Sequence, residues 1–135
     1  MKVAVFGGSN TTPEDYTQAE RLGKMLGSGG HIVMSGGSVG TMEAVAKCAS
    51  ENGGHVIGVT CEEIENWRPR SVNRWVKEEI RCRTLVERLL VLVTNCEAAI
   101  ALPGGAGTLT EIALVWNMLF TDILSPKPLI LVSDR

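Results

Sequence analysis

Short apolar runs alternate along this chain with longer stretches whose apolar residues recur every three to four positions. Lys2–Phe6, residues 31–35, residues 55–60, residues 98–102 and residues 129–132 have the length and composition of strands buried on both faces. Residues 13–26 carry Tyr16, Ala19, Leu22 and Leu26 on one helical stripe, and residues 84–94 carry Leu85, Leu89, Leu92 and Val93 on another. Thr41–Glu51 reads as a further helix, and Glu78–Cys82 as a short strand. From Thr108 onward Leu109, Ile112, Ala113, Trp116, Leu119 and Phe120 return at helical spacing. Thr12 before Pro13 suits a helix start, and the glycines at 27–30 and 53–54 suit helix ends. Strand and helix in alternation predict an α/β fold, a doubly wound parallel sheet with helices on both faces, as one domain over residues 1–135.

Glycine turns join several of these strands to the helices that follow. The run Pro103-Gly104-Gly105-Ala106-Gly107-Thr108 leaves backbone N–H groups free at a helix N-terminus, where the dipole also favours an anion. Thr108 can cap that helix or donate its hydroxyl to a phosphate oxygen. Glu111, one turn further, is a candidate for sugar hydroxyls or acid–base chemistry; alternatively it closes a capping box with Thr108. Gly36-Gly37-Ser38-Val39-Gly40-Thr41-Met42 forms a second such turn, and Gly7-Gly8-Ser9 opens the first loop. No lysine follows any glycine cluster as a phosphate-binding nucleotidase loop requires, and the spacing falls short of the dinucleotide fingerprint.

Two further features invite chemistry. Arg88 sits among Leu89, Leu90, Val91 and Leu92, and is either a solvated outer-face residue or, if buried, in need of an anion. Residues 61–76 are long for a connection and could form a lid or binding loop. There Trp67 and Trp75 could stack on a base while Arg68, Arg70 and Arg74 reach phosphate; otherwise the tryptophans pack the loop onto its own domain.

Composition narrows the partners. A net charge of −2 without a basic tract argues against nucleic acid, and no stretch has the length of a membrane span. Four cysteines without C-x-x-C spacing and only two histidines make a metal site unexpected and fit free thiols in the cytoplasm. The exposed apolar face expected of the 109–120 helix, and a last strand without a covering helix, suggest a homodimer or higher homo-oligomer, or a helix absent from this chain.

The run from Pro103 to Glu111 resembles the PGGxGTxxE motif of the LOG family, long described as possible lysine decarboxylases and including plant cytokinin riboside 5′-monophosphate phosphoribohydrolases. Gly36 to Ala44 resembles the family's GGxxGxM segment, and Arg88 stands where the family's arginine falls. The resemblance implies a Rossmann-like fold and a nucleotide or other phosphorylated small molecule as ligand. It implies catalytic roles for Arg88 and Glu111, and ligand contacts at Gly104, Gly105, Gly107 and Thr108. Gly7, Gly8, Ser9, Gly36, Gly37, Gly40 and Met42 extend that expected binding surface. No cofactor is implied, and no lysine stands in a motif suited to a pyridoxal phosphate Schiff base, which argues against decarboxylation. Leu89, Thr110 and Glu97 stand where the hydrolases usually carry lysine, a second acid and aspartate. Residues 108–116 and the early loops also resemble molybdenum cofactor carrier proteins, which bind without hydrolysing.

Overall fold

A computed structural model describes residues 1–66 and 72–133. In chain order the elements are β1 (Lys2–Phe6), α1 (Pro13–Ser28), β2 (Ile32–Ser35), α2 (Thr41–Glu51), β3 (His55–Cys61), α3 (Glu62–Glu65), β4 (Glu78–Cys82), α4 (Leu85–Thr94), β5 (Ala98–Ala101), α5 (Ala106–Phe120) and β6 (Leu129–Leu131). Among the described residues the six strands form one sheet in the order β4-β3-β2-β1-β5-β6, every pair parallel. The chain winds outward from β1 to β4, then restarts on the other side of β1 with β5. This is the doubly wound α/β architecture that the alternation of strands and helices predicts.

Alternation within the strands assigns the two faces. Val3, Val5, Val33, Val56, Ala98 and Ile100 point to the side covered by α1 and α2, where they meet Ala19, Leu26, Ala44, Val45 and Ala49. Ala4, Phe6, Met34, Ile57, Val59, Ala99 and Ala101 point to the other side, against Leu92 and Val93 of α4 and Val115 of α5. Because side chains alternate with period two, one register serves both faces, and a one-residue slip would exchange them.

Helix α1 runs two residues past the predicted end and lies very close to α2. Its contact surface includes two glycines that hydrophobic periodicity does not register. A side-chain carbon on Gly23 would come within 3.0 Å of the Val45 Cα, and one on Gly27 within 2.9 Å of the Ala49 Cα. Thr12 caps α1 by accepting from the Asp15 N–H at 3.1 Å, and Thr84 caps α4 by accepting from Glu87 N–H at 3.1 Å. At the far end of α4 the Lys127 ammonium donates to the carbonyls of Val93 and Cys96, at 2.7 and 3.1 Å, and so satisfies groups a helix C-terminus leaves open.

One expectation changes, on α4. The inner stripe of α4 is Leu92 and Val93 with Leu89 partly buried, whereas Leu85 is 44% exposed. On α5 the apolar face expected to be exposed is so, with Leu109, Trp116 and Phe120 at 67%, 67% and 81% exposure, while Val115 is fully buried. Within the 61–76 connection Glu62–Glu65 forms one helical turn, α3. Among the described residues no helix is long and apolar enough to cross a membrane.

Candidate functional site

The strand order reverses between β1 and β5, and in an open parallel sheet the crevice beyond the C-terminal ends of such strands is where ligands bind. A cleft of about 480 Å³ occupies this position. Gly7, Gly8, Ser9 and Asn10 after β1, Gly36 and Ser38 after β2, and Gly105, Gly107 and Thr108 after β5 line it, joined by Met42 of α2, Ile64 of α3, Leu85 and Arg88 of α4, and Glu111 of α5. Residues spread over a hundred positions of sequence thus meet because three strand ends adjoin.

The glycine turn after β5 begins its helix earlier than sequence suggests. Helix α5 starts at Ala106 with Gly105 as its N-cap, and no side chain caps it. Thr108 is therefore the third helical residue, 5% exposed, and neither caps α5 nor forms a capping box with Glu111. The Thr108 hydroxyl fills the space where a Gly104 side chain would stand, and such a side chain would also come within 2.9 Å of the Gly8 amide nitrogen. Gly105 and Gly107 have nothing within 4 Å of where a side chain would begin. This end of the cleft is bare helix N-terminus, with the first backbone N–H groups of α5 unpaired within the helix and its positive dipole end open to the cleft.

Gly40 has φ +77, a backbone conformation in which a side chain is strained. Any side chain there would strike the Gly8 and Ser9 carbonyls. The close approach lets the Thr41 N–H donate to the Gly8 carbonyl at 3.1 Å, with the Thr41 hydroxyl donating to the same oxygen at 3.2 Å. Gly37, at φ +71, packs against Gly58 of β3. Gly37, Gly40 and Gly104 are not among the residues lining the cleft; they shape the turns that are.

Arg88 and Glu111 come from neighbouring helices and both line the cleft. Arg88 is half-buried rather than solvated, with its guanidinium over Gly36: a side-chain carbon there would lie 3.6 Å from Nη1. Burial pushes the Glu111 carboxyl up to about 7, against the pull of the Arg88 charge, which acts to lower it. A carboxyl so poised exchanges its proton near neutrality, as general acid–base work requires.

Trp75 does not line the cleft. It packs against the core on the α1–α2 side, with the Arg74 guanidinium 4.5 Å above its ring, so the packing alternative holds for Trp75. Trp67, Arg68 and Arg70 lie outside the described residues. Sequence reasoning missed Asn10, Ser38, Ile64 and Leu85 as lining residues; Ile64 and Leu85 read as ordinary apolar positions until the fold brings them to the cleft rim. Asn73, a buried polar residue in a stretch without periodicity, was equally unmarked. Among the described residues no group of three or more His, Cys, Asp or Glu could hold a metal ion.

A doubly wound parallel sheet with an open helix N-terminus at its switch point defines an α/β protein of the Rossmann-like class. Residues 1–124 match the SLOG cluster4 family, and the chain belongs to it. The "cytokinin riboside 5′-monophosphate phosphoribohydrolase LOG" of Oryza sativa is 37% identical over 124 residues, covering 87% of this chain and 50% of that protein. The chain spans about half the length of the curated plant relatives it matches. Among solved structures, the molybdenum cofactor binding protein of Rippkaea orientalis superposes with a TM-score of 0.83 at 29% identity, over 99% of this chain and 77% of that one. The molybdenum cofactor carrier protein of Chlamydomonas reinhardtii gives 0.77 at 26% identity, over 96% and 74%.

Proposed function

We propose that this chain is a phosphoribohydrolase that cleaves the N-glycosidic bond of a nucleoside 5′-monophosphate, AMP or an N6-substituted AMP, to free base and ribose 5-phosphate. The observation that carries the reading is Glu111, a carboxyl tuned to about 7 in the same cleft as Arg88 and next to an open helix N-terminus. The names of the plant relatives support it.

In this reading the 5′-phosphate lies on the backbone N–H groups of Gly105 to Thr108, with Gly104 and the turns at Gly7-Gly8-Ser9 and Gly36-Gly37 shaping the cradle, and Gly40 and Met42 supporting it from α2. Fixing the phosphate holds the anomeric carbon beside Glu111 and supplies positioning. As the bond from that carbon to the base breaks, positive charge develops on the sugar ring. The Glu111 carboxylate stabilises it and orients the water that completes hydrolysis. Arg88 faces the departing base or the phosphate, where negative charge accumulates.

The test is incubation with AMP and with an N6-alkylated AMP, reading free base by mass spectrometry beside Glu111→Ala and Arg88→Ala. Base release lost in both variants is the expected result; release that survives both overturns these roles.

A binding protein for a phosphorylated ligand is the second reading. It is favoured by Leu89 and Thr110, which stand where related hydrolases carry charged residues, and by the similarity to molybdenum cofactor binding proteins. It predicts tight binding of a phosphorylated ligand without base release. In either reading the exposed apolar residues of α5 support pairing of two copies through that helix, and the four free thiols suit the cytoplasm.

A further inference from the structure

Asn73 lies outside the cleft, yet it holds the turn that forms one of the cleft's walls. It is 6% exposed, and its polar groups are engaged. Its backbone N–H donates to the Gly37 carbonyl at 2.8 Å, and its side-chain Nδ2 donates to the Ser38 carbonyl at 2.9 Å. Its Oδ1 accepts from the Trp75 N–H at 3.1 Å, and its carbonyl accepts from the Val76 N–H at 3.2 Å. One residue therefore clasps two successive carbonyls of the β2–α2 turn and the chain that leads into β4.

Among the described residues few other hydrogen bonds hold that turn. Gly37 and Gly40 carry no side chains to pack, and no side chain caps α2. Among the described residues the turn is also tied by the Ser35 hydroxyl, which accepts from the Gly37 N–H at 3.1 Å, by Thr41, which binds the Gly8 carbonyl, and by the close approach of Gly37 to Gly58 and Val76. The turn presents Gly36 to the Arg88 guanidinium and Ser38 to the cleft, and passes its position on to Gly8. A buried amide in a fully satisfied network is costly to disturb, because each lost partner leaves a buried carbonyl unpaired.

We propose that Asn73 is a positioning residue for this site: it sets the β2–α2 turn, and through it the seat of Arg88 and the cleft wall at Ser38. Its effect on ligand binding rests on the nucleotide reading above; its effect on the turn does not.

Two measurements on the same variants keep these apart. Asn73→Ala, Asn73→Asp and a control, Leu26→Ala, are compared with the parent. Leu26 is buried at the end of α1, away from the cleft, so its truncation lowers stability without touching the turn. Asn73→Asp retains size and the acceptor for Trp75 but sets a carboxylate against the Ser38 carbonyl. Should Asn73→Ala not fold, Asn73→Ser takes its place.

Hydrogen exchange of the peptide over residues 36–42 is expected to quicken roughly tenfold in both Asn73 variants beyond what the control shows. Affinity for AMP, measured by calorimetry, is expected to weaken roughly two- to thirty-fold in both, with the control unchanged. Faster exchange confined to residues 72–76, or an Asn73→Asp protein indistinguishable from the parent, overturns the proposal. A parent protein that binds neither AMP nor an N6-alkylated AMP overturns the nucleotide reading, and the exchange result still decides the role of Asn73.

Discussion

Glu111 on α5 and Arg88 on α4 share one cleft, and the Arg88 charge acts on the Glu111 carboxyl. Burial lifts the Glu111 carboxyl to about 7 while the Arg88 charge resists the rise. The pair lies where the sheet's strand order reverses, beside the uncapped start of α5. A carboxyl with a raised pKa beside a guanidinium, in a cleft with an open helix N-terminus, combines the parts that charge-developing bond cleavage uses.

The first prediction concerns stability and pH. Glu111 holds its proton more tightly folded than unfolded, so between its ordinary pKa of about 4.3 and about 7 the folded state carries the extra proton. Stability then falls as pH rises through this window, by on the order of 3 kcal/mol. Glu111→Gln removes the dependence. Chemical denaturation at pH 5 and pH 8 should show the variant gaining on the parent at the higher pH. Parallel curves for the two proteins would mean that Glu111 does not titrate in this range.

Arg88 should control that titration. Without its charge nothing opposes the effect of burial, so in Arg88→Gln the Glu111 pKa moves above 7. Carbon-detected NMR of labelled glutamate, with Glu111→Gln to assign the resonance, reads the midpoint directly. A midpoint that stays in place, or falls, would separate the two side chains electrostatically.

If the carboxylate form of Glu111 acts in hydrolysis, base release rises with pH through about 7 and levels off above it. A rate flat from pH 5 to pH 8 would remove Glu111 from the rate-determining step.

Gly40→Ala should destabilise the protein by about 2 kcal/mol or more, since it combines a disfavoured φ with contact against the Gly8 and Ser9 carbonyls. Urea denaturation measures the loss. A shift under about 0.5 kcal/mol, the range of neutral surface substitutions, would mean that the two loops are not in contact in solution.

The apolar face of α5 predicts association. Light scattering coupled to size exclusion should give the parent the mass of two or more chains, and Trp116→Ser with Phe120→Ser should reduce it to that of one. These side chains are 67% and 81% exposed, so their replacement leaves the core intact. A monomeric parent would end the reading.

Local pattern alone determined much of this protein. Short continuous apolar runs mark the strands, helical spacing marks the helices, and glycine turns after strands mark the segments where an anion could bind. The family resemblance points to Glu111 within the PGGxGTxxE run and to Arg88 upstream of it. These features are legible because backbone hydrogen bonding and side-chain periodicity act over a few residues.

Tertiary structure decided what depends on distant neighbours. Nothing in β1 or β5 declares that they are adjacent, yet that pairing makes the cleft. Gly23 and Gly27 look like helix-weakening residues until α2 lies against them. Leu109, Ile112, Trp116, Leu119 and Phe120 share a helical spacing, but only the sheet beneath α5 decides that Ile112, Val115 and Leu119 meet the core while Leu109, Trp116 and Phe120 stay exposed. Asn73 stands in a stretch with no pattern at all, and only the fold brings the Gly37 and Ser38 carbonyls within its reach. The physical reason is common to all four: burial and hydrogen-bond satisfaction are set by non-local packing, which a local pattern does not encode.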